Sequence, residues 1–496
     1  MTFHLPPPPE HVIEQPEAAV DGHFAGRLTE DLTWELKGWI ILPLAALAVA
    51  GLMAILVALL RVPGAESVLP WNSQTFFEKG LIAHVTFAFV IWYLGVHGAL
   101  TVLATSVSGR MTKGAAFIGR MGLTAASLSF VVILTPVLLN LGEPSPNNYV
   151  PVLIHPLFFA GLTLLAIGLA LPVLRLLTIV FHSRSGESVV FAIAAAGLIY
   201  LTALVCVAVA WVTMPKGLSP ADIAERAFWG MGHVLQFANT GLLMVGVYLL
   251  SRMSLGETPV SERIFKVLAA IMVGGAAIGP LLYLSYSADD AAQVNAFTDL
   301  YWYALPVPVG VFLLATLWLF LRRAMAFRDQ PPEITGLWVA LILFGFGGVI
   351  GFFESSVDTR TPAHYHAELI GVTLVFMCLY FGLFLPLLNI ALPKRKWRIA
   401  SYVLLGTGQL FHSLGLFLAG LGGVARKVSG EEQGLDSAEK LASMTLMGVG
   451  GLIAVIGGVI FVVLAIRSLL IKPASGSTSV DPQDEPDLNN LGIGNT

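Results

Sequence analysis

The chain has 496 residues, of which 56% are hydrophobic and 12% are charged, and its mean hydropathy is +0.80. Soluble globular domains carry about 25% charged residues, so this composition excludes an ordinary soluble protein and favours one embedded in a membrane. The formal net charge of -4 comes without a clustered basic patch, so no nucleic-acid partner is expected.

Both ends of the chain are more polar than its middle. Residues 1–35 start with the proline-rich, acidic string MTFHLPPPPEHVIEQPE, which is not a signal peptide, and we predict a disordered cytoplasmic tail there. Residues 473–496 predict a second disordered cytoplasmic tail. Residues 36–472 are predicted to form a single membrane domain.

Apolar runs long enough to cross the hydrocarbon core of a bilayer recur along that domain. We count twelve, which predicts an all-α integral membrane protein with a bundle of twelve transmembrane helices. Their approximate bounds are 38–60, 76–106, 115–140, 151–180, 187–213, 227–251, 264–286, 299–321, 334–353, 363–392, 398–422 and 441–470.

The basic residues set the orientation of these spans. Most of the 27 lysines and arginines fall in the two tails, in the loops after even-numbered spans, or at the adjoining span ends. Loops 141–149 and 287–298, on the other side, contain none. The positive-inside rule therefore predicts cytoplasmic termini, and we expect the chain in a bacterial inner membrane.

Seven of the eleven histidines lie in or beside the predicted spans. In chain order they are His84, His97, His155, His233, His364, His366 and His412. All except His97 fall in the outer half of the membrane. Each alone reads most simply as a helix-interface histidine bonded to a backbone carbonyl, but a shared depth favours metal ligation.

The closest pair, His364 and His366, opens span 10. Residues i and i+2 of an α-helix differ in direction by roughly 200°, so the two imidazoles face opposite sides and cannot share one metal. They can each serve a flat cofactor packed on either side of the helix, and two buried hemes fit best. Arg426 and Lys427, at the outer end of span 11, fit the heme propionates, or else form an ordinary snorkelling pair at a span end.

Together these segments resemble the catalytic subunit I of the heme-copper oxidase and nitric oxide reductase superfamily, nearest to the C-type oxidases. The segments that carry the resemblance are AHVTFAFVIWYLG, IHPLFFAG, FWGMGHVLQF, AHYHAELIGV and LFHSLGLFLAGLGGVARK. The resemblance implies that His84 and His366 are the axial ligands of a low-spin heme and His364 that of a high-spin heme. It also implies that Arg426 and Lys427 bind the propionates.

The same resemblance exposes a damaged second-metal site. The family holds copper, or iron, with the span 6 histidine and a His-His pair in span 7. Here span 6 supplies His233, but the span 7 positions are Leu281 and Leu282, which offer no donor atom. His233 is then a remnant copper ligand, and copper binding is doubtful.

Other polar positions of the family are also replaced or ambiguous. Phe237 and Leu235 stand where members carry a cross-linked tyrosine and an acid, and Phe312 lies near the position of a channel lysine. Glu368 follows His364 by four residues and either orients a ligand or faces a neighbouring helix. Gln236, Tyr283 and Tyr286 either line a remodelled pocket or serve helix packing. Asp358, six residues before His364, resembles an acid found ahead of the family's His-x-His pair, or else is a solvated loop charge.

Three functions stay open. The first is respiratory electron transfer to oxygen or nitric oxide at a high-spin heme, by an oxidoreductase without the usual copper site. The second is a diheme membrane protein that transfers electrons or binds a small gas without catalysis, and the third is a structural paralogue of subunit I. Two hemes are expected. The absence of a CxxCH motif argues against covalently attached heme, and heme b is the simplest choice. By resemblance, the partners are other respiratory subunits bearing copper or cytochrome c, or a quinol or cytochrome donor.

Overall fold

A computed structural model describes residues 13–14, 24, 27–60, 73–109, 111–183, 186–324, 330–355, 357–428 and 430–471. Within these ranges, twelve helices are long and apolar enough to cross a membrane, which confirms the predicted fold class. In chain order they are α1 (Glu30–Leu60), α2 (Thr75–Ser108), α3 (Lys113–Leu138), α4 (Pro156–Ser183), α5 (Ser188–Thr213), α6 (Pro220–Leu255), α7 (Glu262–Ser285), α8 (Ala291–Arg323), α9 (Pro332–Gly351), α10 (Arg360–Leu387), α11 (Arg395–Leu421) and α12 (Ala438–Leu470).

Helix α1 begins at Glu30, inside the predicted N-terminal tail. Its first turn carries Glu30 and Asp31, which suit a helix N-terminus. Glu35 is buried one turn further along, where it pairs with Arg175 of α4. Most of the remaining predicted tail before residue 27 lies outside the described residues, as does the predicted tail at 473–496.

Three helices depart from regular α geometry. A π-helical segment, Thr86–Ile91, interrupts α2, and a second one, Tyr380–Phe384, lies near the end of α10. Helix α8 is divided into Ala291–Ala304 and Pro306–Arg323, because Pro306 has no amide hydrogen to donate to the preceding turn. Such interruptions change the direction in which the following side chains point.

Helices α11 and α12 are packed through glycines. A methyl group added at Gly408 or Gly415 of α11, or at Gly450 of α12, would meet the backbone of the opposite helix. Small residues allow the two backbones to approach closely, as is common between transmembrane helices. This seam fixes α12 against the helix that carries His412.

The described chain has short strands before its first helix and in connections between helices. Strand β1 (Ile13–Glu14) pairs antiparallel with β4 (Leu392–Pro393). Strands β2 (Glu143–Ser145) and β3 (Val152–Ile154) form an antiparallel hairpin between α3 and α4. We call residues 143–154 the α3–α4 hairpin. It covers the end of the bundle at which even-numbered helices begin, here named the histidine end.

Candidate heme-binding site

His84 lies in α2, two residues before the π-helical segment. Its Nδ1 donates to the carbonyl oxygen of Ala50 in α1, at 3.0 Å. The ring is therefore held in one orientation, with the lone pair on Nε2. The side chain is half-buried, and its ring lies edge-on to that of Phe89, with 6.2 Å between the centroids.

A tyrosine fixes α2 against α10 beneath the two predicted low-spin ligands. The hydroxyl of Tyr93 donates to the backbone carbonyl of Leu369, which lies three residues after His366. Tyr93 follows His84 by nine residues, and helical side chains lean toward the N-terminus. This contact sets the register between the helices that carry His84 and His366.

His366 contacts a second histidine, His412 of α11. The centroids of the two rings are 5.0 Å apart, and the ring planes meet at 65°. His412 is itself fixed, because its Nδ1 donates to the carbonyl of Met447 in α12 at 3.0 Å. The sequence placed His412 at the right depth but gave no reason to assign it to His366.

His364 faces the opposite side of α10. Its Nδ1 donates to the carbonyl of Gly347 in α9 at 2.9 Å, and its Nε2 lies 3.7 Å from Oε2 of Glu368. Glu368 in turn accepts from the hydroxyl of Tyr301 at 3.4 Å. The i, i+2 spacing thus sends the two imidazoles toward different helices, as the sequence predicts.

The donor set fits heme iron. His84, His364 and His412 each donate Nδ1–H to a backbone carbonyl of another helix, which leaves Nε2 as the atom able to bind a metal. Among the described residues, no three His, Cys, Asp or Glu side chains gather closely enough to hold a metal ion by themselves. Separate axial histidines therefore fit these residues better than a metal held by several protein ligands.

His233 does not offer a free nitrogen. Its Nδ1 donates to the carbonyl of Trp229 at 2.9 Å, so Nε2 accepts the hydrogen bond from the hydroxyl of Tyr149, at 3.1 Å. The rings of Tyr149, Trp229 and Phe297 surround the imidazole, with centroids 4.6, 4.9 and 5.8 Å away. A metal at Nε2 would have to displace Tyr149.

The two leucines of α7 do not complete a metal site either. Leu281 is 57% exposed on the outer surface of the bundle, and Leu282 is packed partly buried against the core. The residue that faces inward at this end of α7 is Tyr283, which packs against Phe297 and Gly230. A longer side chain at position 281 would thus point away from His233.

Tyr149 reaches His233 from the loop of the α3–α4 hairpin. Nδ2 and the backbone nitrogen of its neighbour Asn148 donate to the carboxylate of Glu225 at 2.7 and 3.1 Å. Gly232 leaves the room that the ring needs, since a methyl group there would collide with Tyr149. Burial, followed by the carboxylates of Glu354 and Glu225, raises the pKa of Tyr149, so the phenol keeps the proton that it donates.

Arg426 and Lys427 hold the same loop. Arg426 donates to Oδ1 of Asn148 at 2.8 Å, and Nζ of Lys427 donates to that atom at 3.2 Å and to the carbonyl of Pro146. Burial, then repulsion by Arg426, lowers the pKa of Lys427 to about 8, while Glu225 opposes the change. The predicted propionate cations thus lie at the histidine end, bonded to the loop that carries Tyr149.

Asp358 is an internal partner of the connection rather than a solvated charge. It is buried and forms an ion pair with Arg360 at 2.8 Å, and it makes a backbone bridge with Ala425 next to Arg426. Burial opposes ionisation, but hydrogen bonds from Arg360 keep the pKa of Asp358 below its ordinary value. The pair fixes the start of α10 against the basic residues.

The remaining histidines stand apart from these contacts. His97 is buried deeper in α2, edge-on to Tyr200 at 6.0 Å between ring centroids. Nδ1 of His155 accepts from the backbone nitrogen of Leu157 at the start of α4. The apolar replacements Phe237 and Phe312 are fully buried.

Tyr149 is the site residue that sequence reasoning missed. It lies in the irregular string SPNNYVPV, where neither helical nor strand periodicity shows which way a side chain points. Its partner His233 is 84 residues away, so only the folded chain reveals the contact.

Comparison with known proteins agrees with this architecture. The family model described as cytochrome c and quinol oxidase polypeptide I matches residues 36–469. The fold is also similar to a solved heme-copper terminal oxidase dimer, with a TM-score of 0.66 and 15% identity over 90% of this chain and 85% of that one. The resemblance inferred from the histidine segments is therefore confirmed at the level of the superfamily.

Two curated relatives carry no assigned function. An uncharacterized protein of Rickettsia prowazekii (strain Madrid E) is 25% identical over 87% of this chain and 95% of its own length. An uncharacterized protein of Aquifex aeolicus (strain VF5) is 28% identical over 69% of this chain and 83% of its own length.

Proposed function

Because this chain belongs to the cytochrome c and quinol oxidase polypeptide I family, we propose that it is a diheme membrane protein that carries respiratory electrons without a copper centre. His84 and His366 hold the low-spin heme, and His364 holds the high-spin heme. Bound heme iron exchanges single electrons and, where an axial position is open, binds a small gas such as oxygen or nitric oxide.

The observation that carries this proposal is the way the histidines are held. The backbone carbonyls of Ala50 and Gly347 fix the rings of His84 and His364 through Nδ1. Preset ring orientation leaves Nε2 ready for iron and reduces the entropy lost on binding. Arg426 and Lys427 lie where they can turn from Asn148 to heme propionates.

The contact of Tyr149 with His233 favours electron transfer or gas binding over copper-dependent oxygen reduction. Copper would need the lone pair that the phenol already occupies, and Leu281 and Leu282 supply no further donors. Reduction of oxygen or nitric oxide at the high-spin heme would then rely on iron alone, so we expect slow turnover. A structural paralogue without heme is the alternative.

We place the protein in a bacterial inner membrane with both termini in the cytoplasm. The histidine end then faces outward. By family resemblance, the protein's electron donor would be another respiratory subunit that bears copper or cytochrome c, a cytochrome or a quinol.

Metal analysis and spectroscopy of the purified protein test the proposal. We expect two hemes per chain, identified as heme b by the pyridine hemochrome, with substoichiometric copper. His84→Ala and His366→Ala should each remove the six-coordinate low-spin signal, whereas His364→Ala should remove carbon monoxide binding. His182→Ala, on the exposed end of α4, is the matched control.

Each part of the proposal has its own contrary result. Stoichiometric copper with fast oxygen turnover would contradict the copper-free centre. Heme absent from the wild-type protein would leave only the structural paralogue.

A further inference from the structure

The starts of α1 and α3 lie side by side. A methyl group added at Gly119 of α3 would meet the carboxylate of Glu35 in α1, and one added at Gly38 of α1 would meet the side chain of Leu123 in α3. Because the two contacts are offset by nearly the same number of residues, the helices run in parallel here. Exposed side chains on either side of this contact therefore border one groove.

One face of each helix carries exposed side chains beside this contact. They are spaced by three or four residues along each helix, and residues at that spacing lie on the same face. The guanidinium carbon of Arg120 lies 6.0 Å from the centre of the Trp34 ring, so the two faces meet. We call this surface the α1–α3 groove and define it by Trp34, Lys37 and Ile41 of α1 with Phe117, Arg120 and Met121 of α3.

The groove presents two positive charges. Nη2 of Arg120 donates to Oδ1 of Asp31, which holds the guanidinium in place over the ring of Trp34. A guanidinium has five N–H donors, so most of them stay available to a second anion. Lys37 is exposed, and among the described residues no carboxylate forms an ion pair with it. The groove can therefore accept an anion in addition to Asp31.

These charges lie where the chain changes from polar to apolar. The first predicted span starts at residue 38, immediately after Lys37. Tryptophan, here Trp34, is enriched at the boundary between lipid headgroups and hydrocarbon. Deeper along both helices, large apolar side chains are exposed, among them Ile41, Leu52, Met121 and Leu128. An anion bound by Lys37 and Arg120 is therefore at the level of the headgroups, with hydrocarbon beside it.

We propose that the α1–α3 groove binds one anionic phospholipid. Its phosphate contacts Lys37 and Arg120, and an acyl chain lies along Ile41 and Met121. The predicted topology assigns this end of the bundle to the cytoplasmic leaflet, where basic pockets between transmembrane helices bind anionic headgroups. A basic residue that only set the orientation of a span would need no fixed position, whereas Arg120 is held by Asp31. The site uses none of the histidines assigned to heme.

Lipid binding to the full-length protein tests the site. The protein, delipidated in detergent with whatever cofactors it carries, is titrated with dioleoylphosphatidylglycerol or with zwitterionic dioleoylphosphatidylcholine and followed by native mass spectrometry. We expect one phosphatidylglycerol per chain to bind at least about fivefold more tightly than phosphatidylcholine, because each basic residue near the headgroup attracts its net charge. Glycerol phosphate, which has the charge but no acyl chain, should not displace the lipid.

Substitutions in the groove identify where the lipid binds. Lys37→Gln and Arg120→Gln each remove one positive charge, so each should weaken phosphatidylglycerol binding by about fivefold and leave phosphatidylcholine binding unchanged. Lys216→Gln makes the same change of charge at an exposed position in the connection between α5 and α6. It is the matched control and should bind phosphatidylglycerol as the wild type does.

Three results would overturn the proposal. Equal affinity of the wild type for the two lipids would show that the groove does not select charge. Displacement of the lipid by glycerol phosphate would show that the acyl chains do not contribute. Wild-type affinity for phosphatidylglycerol in Lys37→Gln would place the lipid elsewhere, and this variant decides even if Arg120→Gln does not fold, since Lys37 forms no ion pair within the described chain.

Discussion

The phenol of Tyr149 and the imidazole of His233 form a hydrogen bond that links a loop to the centre of the histidine end. His233 is only 3% exposed, so an unpaired Nε2 there would stay without solvent. The hydrogen bond therefore stabilises the folded chain and also makes Nε2 of His233 unavailable to other ligands.

Tyr149→Phe removes the hydroxyl and keeps the ring. We expect the free energy of unfolding to fall by about 1–2 kcal/mol, because a buried acceptor loses its donor. Thermal unfolding in detergent measures the loss. Tyr303→Phe, at a side chain that is 79% exposed, should change little; an equal loss in both variants would contradict this account.

Lys427 gives a test of the propionate assignment. Its pKa of about 8 in the heme-free chain means that the amine is mostly charged at pH 7 and mostly neutral at pH 9. The rate of acylation of Lys427, followed by mass spectrometry, should level off near pH 9 in the His84→Ala/His364→Ala/His366→Ala variant, which lacks every proposed heme ligand.

A heme propionate that lies against the amine of Lys427 favours its charged form. The pH dependence of the acylation rate should therefore move to higher pH in the heme-loaded protein. Arg426→Gln removes a repelling charge and should shift the heme-free curve in the same direction. Identical curves with and without heme would show that the propionates are elsewhere.

Between helices, the clearest constraint is the ion pair of Glu35 with Arg175. Two hydrogen bonds of 2.7 and 2.8 Å join α1 to α4, and both side chains are almost fully buried. Gly119 of α3 leaves the space for both groups. Hydropathy alone placed this part of α1 in a polar tail, because the partner that neutralises Glu35 is 140 residues away.

Removing one partner of this pair leaves a buried charge. Glu35→Gln is expected to lower the free energy of unfolding by about 3–5 kcal/mol, while replacing both residues with leucine should cost less than either single change. Chemical or thermal unfolding of the three variants measures this. Glu30→Gln, at the exposed start of α1, is the control, and a loss as large there would refute the assignment.

The helix count and order were predictable because each span repeats a strong apolar signal. The details that shape the site were not. The π-helical segment at Thr86–Ile91 interrupts α2 although no glycine or proline in TFAFVI signals it, whereas the division of α8 follows from Pro306 itself. The opposite directions of His364 and His366 were predictable, since helix geometry alone determines them.

Over the whole molecule, an even number of spans places both termini on one side. The lysines and arginines of the α10–α11 connection should face the cytoplasm, and residues 287–290 should face the opposite side. Single cysteines are introduced at Ser287 and Lys396, in a background without Cys206 and Cys378. An impermeant thiol reagent added to intact cells should label only the cysteine at 287. Labelling of the cysteine at position 396 alone would show that the orientation is the opposite of the predicted one.

The α3–α4 hairpin also bears on how this protein relates to its family. Connections tolerate sequence change far better than packed helices do. The group that occupies His233 is carried by such a connection, whereas the histidines proposed to bind heme lie on helices. Access to His233 can therefore be lost or regained in evolution by changing one loop, while the twelve-helix scaffold is inherited unaltered. Ligand access and scaffold are thus separable traits, and relatives that share every helix can differ in whether this histidine is available.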